Sequence, residues 1–245
     1  MKPHVIAIAN NKGGVGKTET TYRLGKDLAE QGYHVLVIDL DGQHNLTGLL
    51  TPDGDWSDTI ADVLQGRMTL PQVITVTDEE RLYLAPANEL LDDVADDLTI
   101  QPLGIVRLSR ALRDLENSYR SYDFVLIDCP PNVGSLTYSA LIAADYLILP
   151  FRPRLQSLDG VDRIMGKVEE IRNLMGSAPV PLGLVATMVR PVTSHNDVLD
   201  RLLQRPPLLA TVPMREGRDA ERELDAAYFL LGQKVIQRIQ EVRHE

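Results

Sequence analysis

One cysteine, Cys129, stands in 245 residues. A single thiol forms no intrachain disulfide and suits a reducing compartment. It cannot by itself hold an iron–sulfur cluster, which takes several thiolates. No run of about 18 apolar residues occurs, so no membrane-spanning helix is expected. The apolar part of the opening MKPHVIAIANNKGG is too short for a signal peptide, and a cytoplasmic location is the expectation. Low-complexity tracts, convincing repeats and domain linkers are missing too; Thr51–Asp55 and Ser177–Pro181 read only as loops. The chain is therefore expected to be one domain over residues 1–245, with an ordinary 44% of apolar and 24% of charged residues.

A compact basic run is also lacking, and the net charge is −10. Residues 51–105 hold twelve Asp/Glu and two Arg, which accounts for all of it. The acidity is thus regional, either a partner-docking surface or a solubilising one, and a basic face elsewhere stays open. Residues 151–205 carry eight Lys/Arg against six Asp/Glu.

What is present is an alternation of short apolar runs with helix-length stretches. The runs are His4–Asn10, His34–Leu40, Leu82–Pro86, Phe124–Asp128, Tyr146–Pro150, Leu182–Met188 and Leu208–Val212. Most are rich in Val, Ile and Leu, as strands buried on both faces should be. Helices are expected over Lys17–Gln31, Leu103–Tyr119, Ser135–Ala144, Leu158–Met175, Asn196–Gln204, Gly217–Leu231 and Gln233–Arg243. This pattern predicts an α/β fold, a doubly wound, mostly parallel sheet with helices on both faces. In the final segment Val235, Ile236, Ile239 and Val242 form one apolar stripe, short and without a bulky aromatic; docking on the domain is expected over lipid.

The most informative segment is Asn10-Asn11-Lys12-Gly13-Gly14-Val15-Gly16-Lys17-Thr18, between the first strand and the first helix. Backbone N–H groups at such a turn surround an anion, and the helix dipole adds to the pull. Lys17 would reach the β/γ-phosphates and the Thr18 hydroxyl would ligate Mg2+. The strict phosphate-loop pattern is not met, because Asn11 holds its first glycine position, and a second lysine, Lys12, precedes Lys17 by five residues.

Lys12-Gly-Gly-Val-Gly-Lys-Thr18 resembles the deviant Walker A motif of the ParA/MinD group of P-loop ATPases. The resemblance implies a phosphate-binding set of Gly13, Gly14, Val15, Gly16, Lys17, Thr18 and Glu19. It also implies that Lys12 acts in trans on the partner's ATP across a nucleotide-sandwich homodimer. Val35-Leu-Val-Ile-Asp39-Leu-Asp41-Gly-Gln43 resembles the family's D-x-D-P-Q segment. Carried over, Asp41 orients or activates the attacking water and lies near Mg2+, while Asp39 supports the loop from behind. Gly42 stands where the usual proline would stiffen this switch loop. Ile127-Asp128-Cys129-Pro130-Pro131 matches the family's I-D-x-P-P signature, so Asp128 would hold Mg2+ through water, and Pro130, Pro131 and Gly134 would form a second switch loop.

Gly183-Leu-Val-Ala-Thr187-Met188-Val-Arg190 and Thr211-Val-Pro213-Met214-Arg215 are similar to the family's last two core strands. By position, Met188, Pro213 and Met214 become candidates for the adenine pocket. The family's non-specific DNA binding makes Arg152, Arg154, Arg163, Lys167, Arg190, Arg201 and Arg205 candidates for a DNA face. The implied function is a ParA-like ATPase that uses ATP and Mg2+, dimerises on ATP, binds nucleoid DNA and is reset by a ParB-like activator bound to its cargo. The alternatives are a MinD-like membrane-cycling ATPase and a nucleotide-dependent biosynthetic enzyme on the same fold.

Overall fold

The computed structural model describes residues 2–54, 56–101, 103–115, 120–154, 158–190, 206–214 and 219–243. In chain order the elements are β1 (His4–Ile8), α1 (Lys17–Glu30), β2 (Val35–Asp39), α2 (Asn45–Leu50), α3 (Ile60–Gln65), α4 (Leu70–Val73), β3 (Thr75–Val76) and β4 (Leu82–Ala85). They continue with α5 (Leu90–Ile100), a 3-10 turn (Gly104–Val106), α6 (Arg107–Asp114), β5 (Phe124–Asp128), α7 (Ser135–Ala143) and β6 (Tyr146–Phe151). The last are α8 (Leu158–Met175), β7 (Val180–Val189), β8 (Leu208–Pro213) and α9 (Ala220–Val242).

The described strands form one eight-stranded sheet in the order β3-β4-β2-β5-β1-β6-β7-β8. Every pairing is parallel except the edge pair β3–β4. Side chains alternate across the sheet, so Val5 and Ala7 pack on one face while Ile6 and Ile8 pack on the other. The first face is covered by α3, α5, α6, α7 and α8 through residues such as Leu64, Leu91, Leu108, Leu136 and Ile164. The second is covered by α1, α2 and α9 through Leu24, Leu28, Leu46, Leu224 and Leu231. Burial on both faces explains why the central strands lack polar alternation.

Two expectations change, and the acidic stretch gains elements that were not expected. The two C-terminal helices are one, running through Gly232. Glycine inside a helix costs about 1 kcal/mol, but here it admits a close neighbour: a Cβ on Gly232 would lie 2.0 Å from Asp27 Oδ2. The helix expected over Leu103–Tyr119 is shortened to the 3-10 turn and α6, preceded by Leu103 at φ +61°; residues 116–119 lie outside the described set, as does the helix expected at Asn196–Gln204. The acidic stretch is ordered into short elements that a long periodicity window misses. One of them, α3, is started by a capping box between Thr59 and Asp62.

The C-terminal stripe docks on the sheet: Val235 and Ile239 are buried, with Ile236 and Val242 packed beside them. Among the described residues no helix is long and apolar enough to cross a membrane.

Candidate nucleotide-binding site

The strand register sets the site. Ile8, Asp39 and Asp128 are level with one another across β1, β5 and β2, so three carboxyl strand ends open at one height. Ligands of doubly wound sheets bind at that edge. The glycine loop leaves β1 here. Gly14 and Gly16 take φ of +66° and +84°, which glycine alone adopts without strain. Gly16 is the N-cap of α1 and provides no side-chain cap, so the first amides of that helix point into the loop unclaimed by a side chain. A Cβ on Gly14 would meet nothing within 4 Å, while one on Gly16 would press on Thr187 Cγ2 at 3.3 Å. The loop is thus open on one side and braced on the other, which fits an incoming anion.

The bracing is polar and buried. Asn10 Nδ2 donates to Pro150 O at 2.7 Å, and Asn10 Oδ1 accepts from Lys12 N at 3.1 Å. Thr187 Oγ1 lies 2.8 Å from Val15 O and 3.1 Å from Phe151 O. Asn11 Oδ1 is buried without a partner among the described residues. Lys17 is buried and its Nζ donates to Lys12 O at 3.2 Å. Burial pulls the Lys17 ammonium below its usual pKa, while the carboxylates of Asp128 and Asp41 pull the other way.

The acidic residues divide by environment. Asp128 is buried and hydrogen bonds to Thr18 and to Thr21 Oγ1, the latter at 3.3 Å. Burial, then the neighbouring Asp39 carboxylate, push its pKa up. Asp39 is fully occupied: it accepts from Asp41 N at 3.1 Å, Thr47 N at 2.9 Å and Thr47 Oγ1 at 2.8 Å. It therefore supports the loop from behind. Burial raises Asp39 as well, against those three donors. Asp41 accepts from Gln43 N at 3.1 Å, is half-buried, and is near enough to act on both Lys17 and Asp128. No cluster of three or more His, Cys, Asp or Glu able to hold a metal occurs among the described residues. A cation here would draw on the Thr18 hydroxyl, Asp128 and the phosphates themselves, a set that suits hard Mg2+.

At the ends of β6, β7 and β8 the structure joins two sets of candidates. Met188 and Met214, nominated for the base, line a small cavity of about 130 Å3 together with Arg152, Arg154 and Arg190, nominated for DNA. Arg152 Nε donates to Met188 Sδ at 2.7 Å and Arg190 Nε to Met214 Sδ at 2.9 Å. Pro213 ends β8 beside them but does not line the cavity. Arg163 and Lys167 sit apart on α8, and Lys167 is paired with Glu170 at 2.7 Å. Arg201 and Arg205 lie outside the described residues. Glu19 is on the first turn of α1 with its carboxylate on Arg23, which also pairs with Glu221 and Asp225 of α9.

Three threonines went unnoticed in the sequence: Thr187 under the loop, Thr21 on Asp128 and Thr47 on Asp39. The available signal was a hydroxyl inside an apolar strand or on a buried helix face, which needs a partner.

A glycine loop entering a helix from the first strand, with acids at the two neighbouring strand ends, defines the P-loop nucleotide-binding class. The comparisons with known proteins agree. A family model described as "AAA domain" matches residues 3–178. The sporulation initiation inhibitor protein Soj of Bacillus subtilis is 34% identical over 186 residues, covering 76% of this chain and 72% of that protein. The chromosome partitioning protein ParA of Caulobacter vibrioides is 37% identical over 188 residues, covering 75% and 69%. The chain belongs to the ParA/MinD family of P-loop ATPases. Among solved structures, cobyrinic acid a,c-diamide synthase of Mycobacterium smegmatis with bound ATP analogue and magnesium superposes with a TM-score of 0.86 at 30% identity, covering 97% of this chain and 96% of that one. A plasmid partition protein of Borrelia burgdorferi bound to AMPPNP has a TM-score of 0.84 at 23% identity, over 97% and 99% of the chains, which speaks to the fold alone.

Proposed function

We propose that this chain, as one domain, is a ParA-like switch that hydrolyses ATP with Mg2+, closes into a homodimer over the nucleotide and in that state binds DNA without sequence preference. A cargo-linked, ParB-like activator then triggers hydrolysis and release. The location that follows is cytoplasmic and on the nucleoid. The observation that carries this reading is the meeting of Lys17, Asp41 and Asp128 at one sheet edge beneath a loop that also bears Lys12. The likeness to the chromosome partitioning protein ParA of Caulobacter vibrioides favours a positioning role.

The residues divide the work. The amides of Gly13 to Glu19 receive the phosphates, and Lys17, already inside the loop, neutralises the β/γ-oxygens. Bound Mg2+ would add charge neutralisation at those oxygens. Thr18 and Asp128 would hold it, with Asp41 close by. Asp41 accepts only Gln43 N, on Oδ1, and keeps its other oxygen to orient a water for in-line attack, while Asp39 takes three of the loop's hydrogen bonds. Lys12 would complete the partner's site, placing a second cation where charge develops in the transition state. Met188, Pro213 and Met214 would flank the base.

Asp41→Ala should bind ATP and persist as a dimer, and Lys17→Ala should lose the nucleotide. Light scattering behind size exclusion reads the first, calorimetry the second. An Asp41→Ala protein that stays monomeric in saturating ATP would falsify the switch. DNA binding with ADP, ATP and a non-hydrolysable analogue, at two salt concentrations, tests the DNA step. A second reading, a nucleotide-dependent biosynthetic enzyme, is favoured by the likeness to the cobyrinic acid synthase over nearly the whole chain. It predicts turnover that needs a small acceptor and ignores DNA.

A further inference from the structure

The phosphate loop leaves β1, and the strands on its two sides differ in what stands at their carboxyl ends. On one side β5 and β2 end in Asp128 and Asp39. On the other, β6, β7 and β8 end around a cavity of about 130 Å3 whose described walls are Arg152, Pro153, Arg154, Met188, Arg190 and Met214. This cavity begins one residue beyond the brace of the loop. Thr187, which faces Val15 O and would meet a Cβ on Gly16, precedes Met188; Phe151, whose carbonyl lies 3.1 Å from Thr187 Oγ1, precedes Arg152. A triphosphate with its terminal phosphate and cation on the acidic side therefore sends its base to the other side, which is the placement proposed above for Met188 and Met214.

The side chains of the cavity are one-sided as hydrogen-bonding partners. Its three guanidiniums only donate. Its two thioethers are weak acceptors, and each already takes an arginine: Arg152 Nε on Met188 Sδ and Arg190 Nε on Met214 Sδ. No carboxylate, side-chain amide or hydroxyl lines it among the described residues. The backbone departs from regularity at the residue that anchors Arg152. The register between β7 and β8 shifts between Ala186 and Val189, and Met188 takes φ +53°, uncommon for a residue with a side chain. Such outliers gather at ligand sites. Held through Nε, Arg152 is half-buried, and no carboxylate pairs with it among the described residues. Its two terminal nitrogens are left as a fork for a ligand.

Purines differ at the edge that such a fork can meet. Guanine presents O6 and N7, adjacent acceptors that suit one arginine; adenine presents N7 beside the N6 amino group, a donor facing donors. We propose that Arg152 reads the base and that this site takes guanine nucleotides, GTP with Mg2+ at least as readily as ATP. The inference rests on the base placement in the function proposed above and adds to it the choice of base. Arg152 then serves the nucleotide, where its charge alone would assign it to DNA.

The test uses the full chain with Mg2+ and the displacement of a fluorescent ATP analogue by ATP, GTP and ITP. The base of ITP keeps O6 and N7 and lacks the amino group of guanine. The expected order is GTP at least as tight as ATP, with ITP following GTP. Arg152→Ala should shift the ratio of GTP to ATP affinity about tenfold toward ATP, the scale of one bidentate arginine–guanine pair. Arg152→Lys keeps the charge and loses the planar fork, so it should shift the ratio the same way while ATP affinity stays within about threefold. Thermal melts of both variants check that each is folded. Tighter ATP than GTP in the wild type, ITP that follows ATP, or a ratio unmoved by either variant overturns the proposal and leaves the ATPase reading standing. If no nucleotide binds, that reading falls and the base assignment falls with it.

Discussion

Thr187 is the sharpest place to test how the phosphate loop is held. Its Oγ1 faces two carbonyls, Val15 O at 2.8 Å and Phe151 O at 3.1 Å, with a single proton to give. The shorter contact marks Val15 as the main acceptor, and that residue is the one before Gly16. Thr187→Val keeps the shape and the methyl that packs on Gly16 but leaves a carbonyl in a buried position without its donor. Such an orphan costs about 1–3 kcal/mol. In a chain of this size that corresponds to a fall in melting temperature of roughly 2–4 °C per kcal/mol. The loop can recover part of that by turning Val15 outward, which spoils the amide cradle. Nucleotide affinity should therefore fall about five- to tenfold, on the order of 1 kcal/mol. Thr187→Ser retains the hydroxyl and should restore affinity while losing only the methyl contact. Titration of a fluorescent ATP analogue against the three proteins, with parallel thermal melts, is the assay. If Thr187→Val melts and binds as the wild type does, the brace is ornamental and the argument is wrong.

Three further outcomes follow from close contacts and charge. Gly232→Ala should destabilise by about 1–3 kcal/mol instead of gaining the usual helix increment, because its Cβ would sit 2.0 Å from Asp27 Oδ2; urea melts should show Asp27→Ala with Gly232→Ala recovering most of the loss. Burial raises Asp27 to about 6 despite the hydrogen bond from Gln31. The folded state then binds more protons than the unfolded one, so this group's contribution to stability declines as pH rises from the normal aspartate range through 6. Between pH 5 and 7.5 the wild type should lose about 1.4 kcal/mol that Asp27→Asn does not lose, and parallel slopes for the two proteins would refute it. Gly42→Pro meets only the tip of the exposed Asp92 side chain, so its change in stability should stay below about 1 kcal/mol; a loss above twice that in the same melts would mean that Asp92 is fixed.

Much of this was open to reading in the sequence because it is local. Lys17, Thr18 and Asp128 are identified by short spacings next to apolar runs, and the sheet places them where those spacings imply. Features that depend on distant neighbours were hidden. Gly232 looks like a helix terminator until Asp27, far away in the chain, is seen to fill the space above it. Met188 and Arg152 belonged to separate candidate sets until β6 and β7 paired and brought their side chains together. Between Thr51 and Ile105, α3, α4, β3 and β4 are too short to show a period, and the aspartates of α5 masked its buried Leu91, Val94 and Leu98.

Gly42 stands in a loop that is ordered without a proline. Proline stiffens a turn by fixing φ, and glycine does the reverse. The loop regains order from hydrogen bonds: Asp39 binds Asp41 N and both groups of Thr47, Asp41 closes a turn on Gln43 N, and His44 N returns to Asp41 O at 2.8 Å. His44 also packs its ring on Trp56 at 5.3 Å. The Asp92 carboxylate lies against Gly42, so this loop touches α5 through the tip of one exposed side chain. The exchange turns a loop stiff in itself into one whose order depends on its neighbours. Such a loop is loosened by whatever disturbs Asp39 or Thr47, a dependence that a self-contained proline turn would lack.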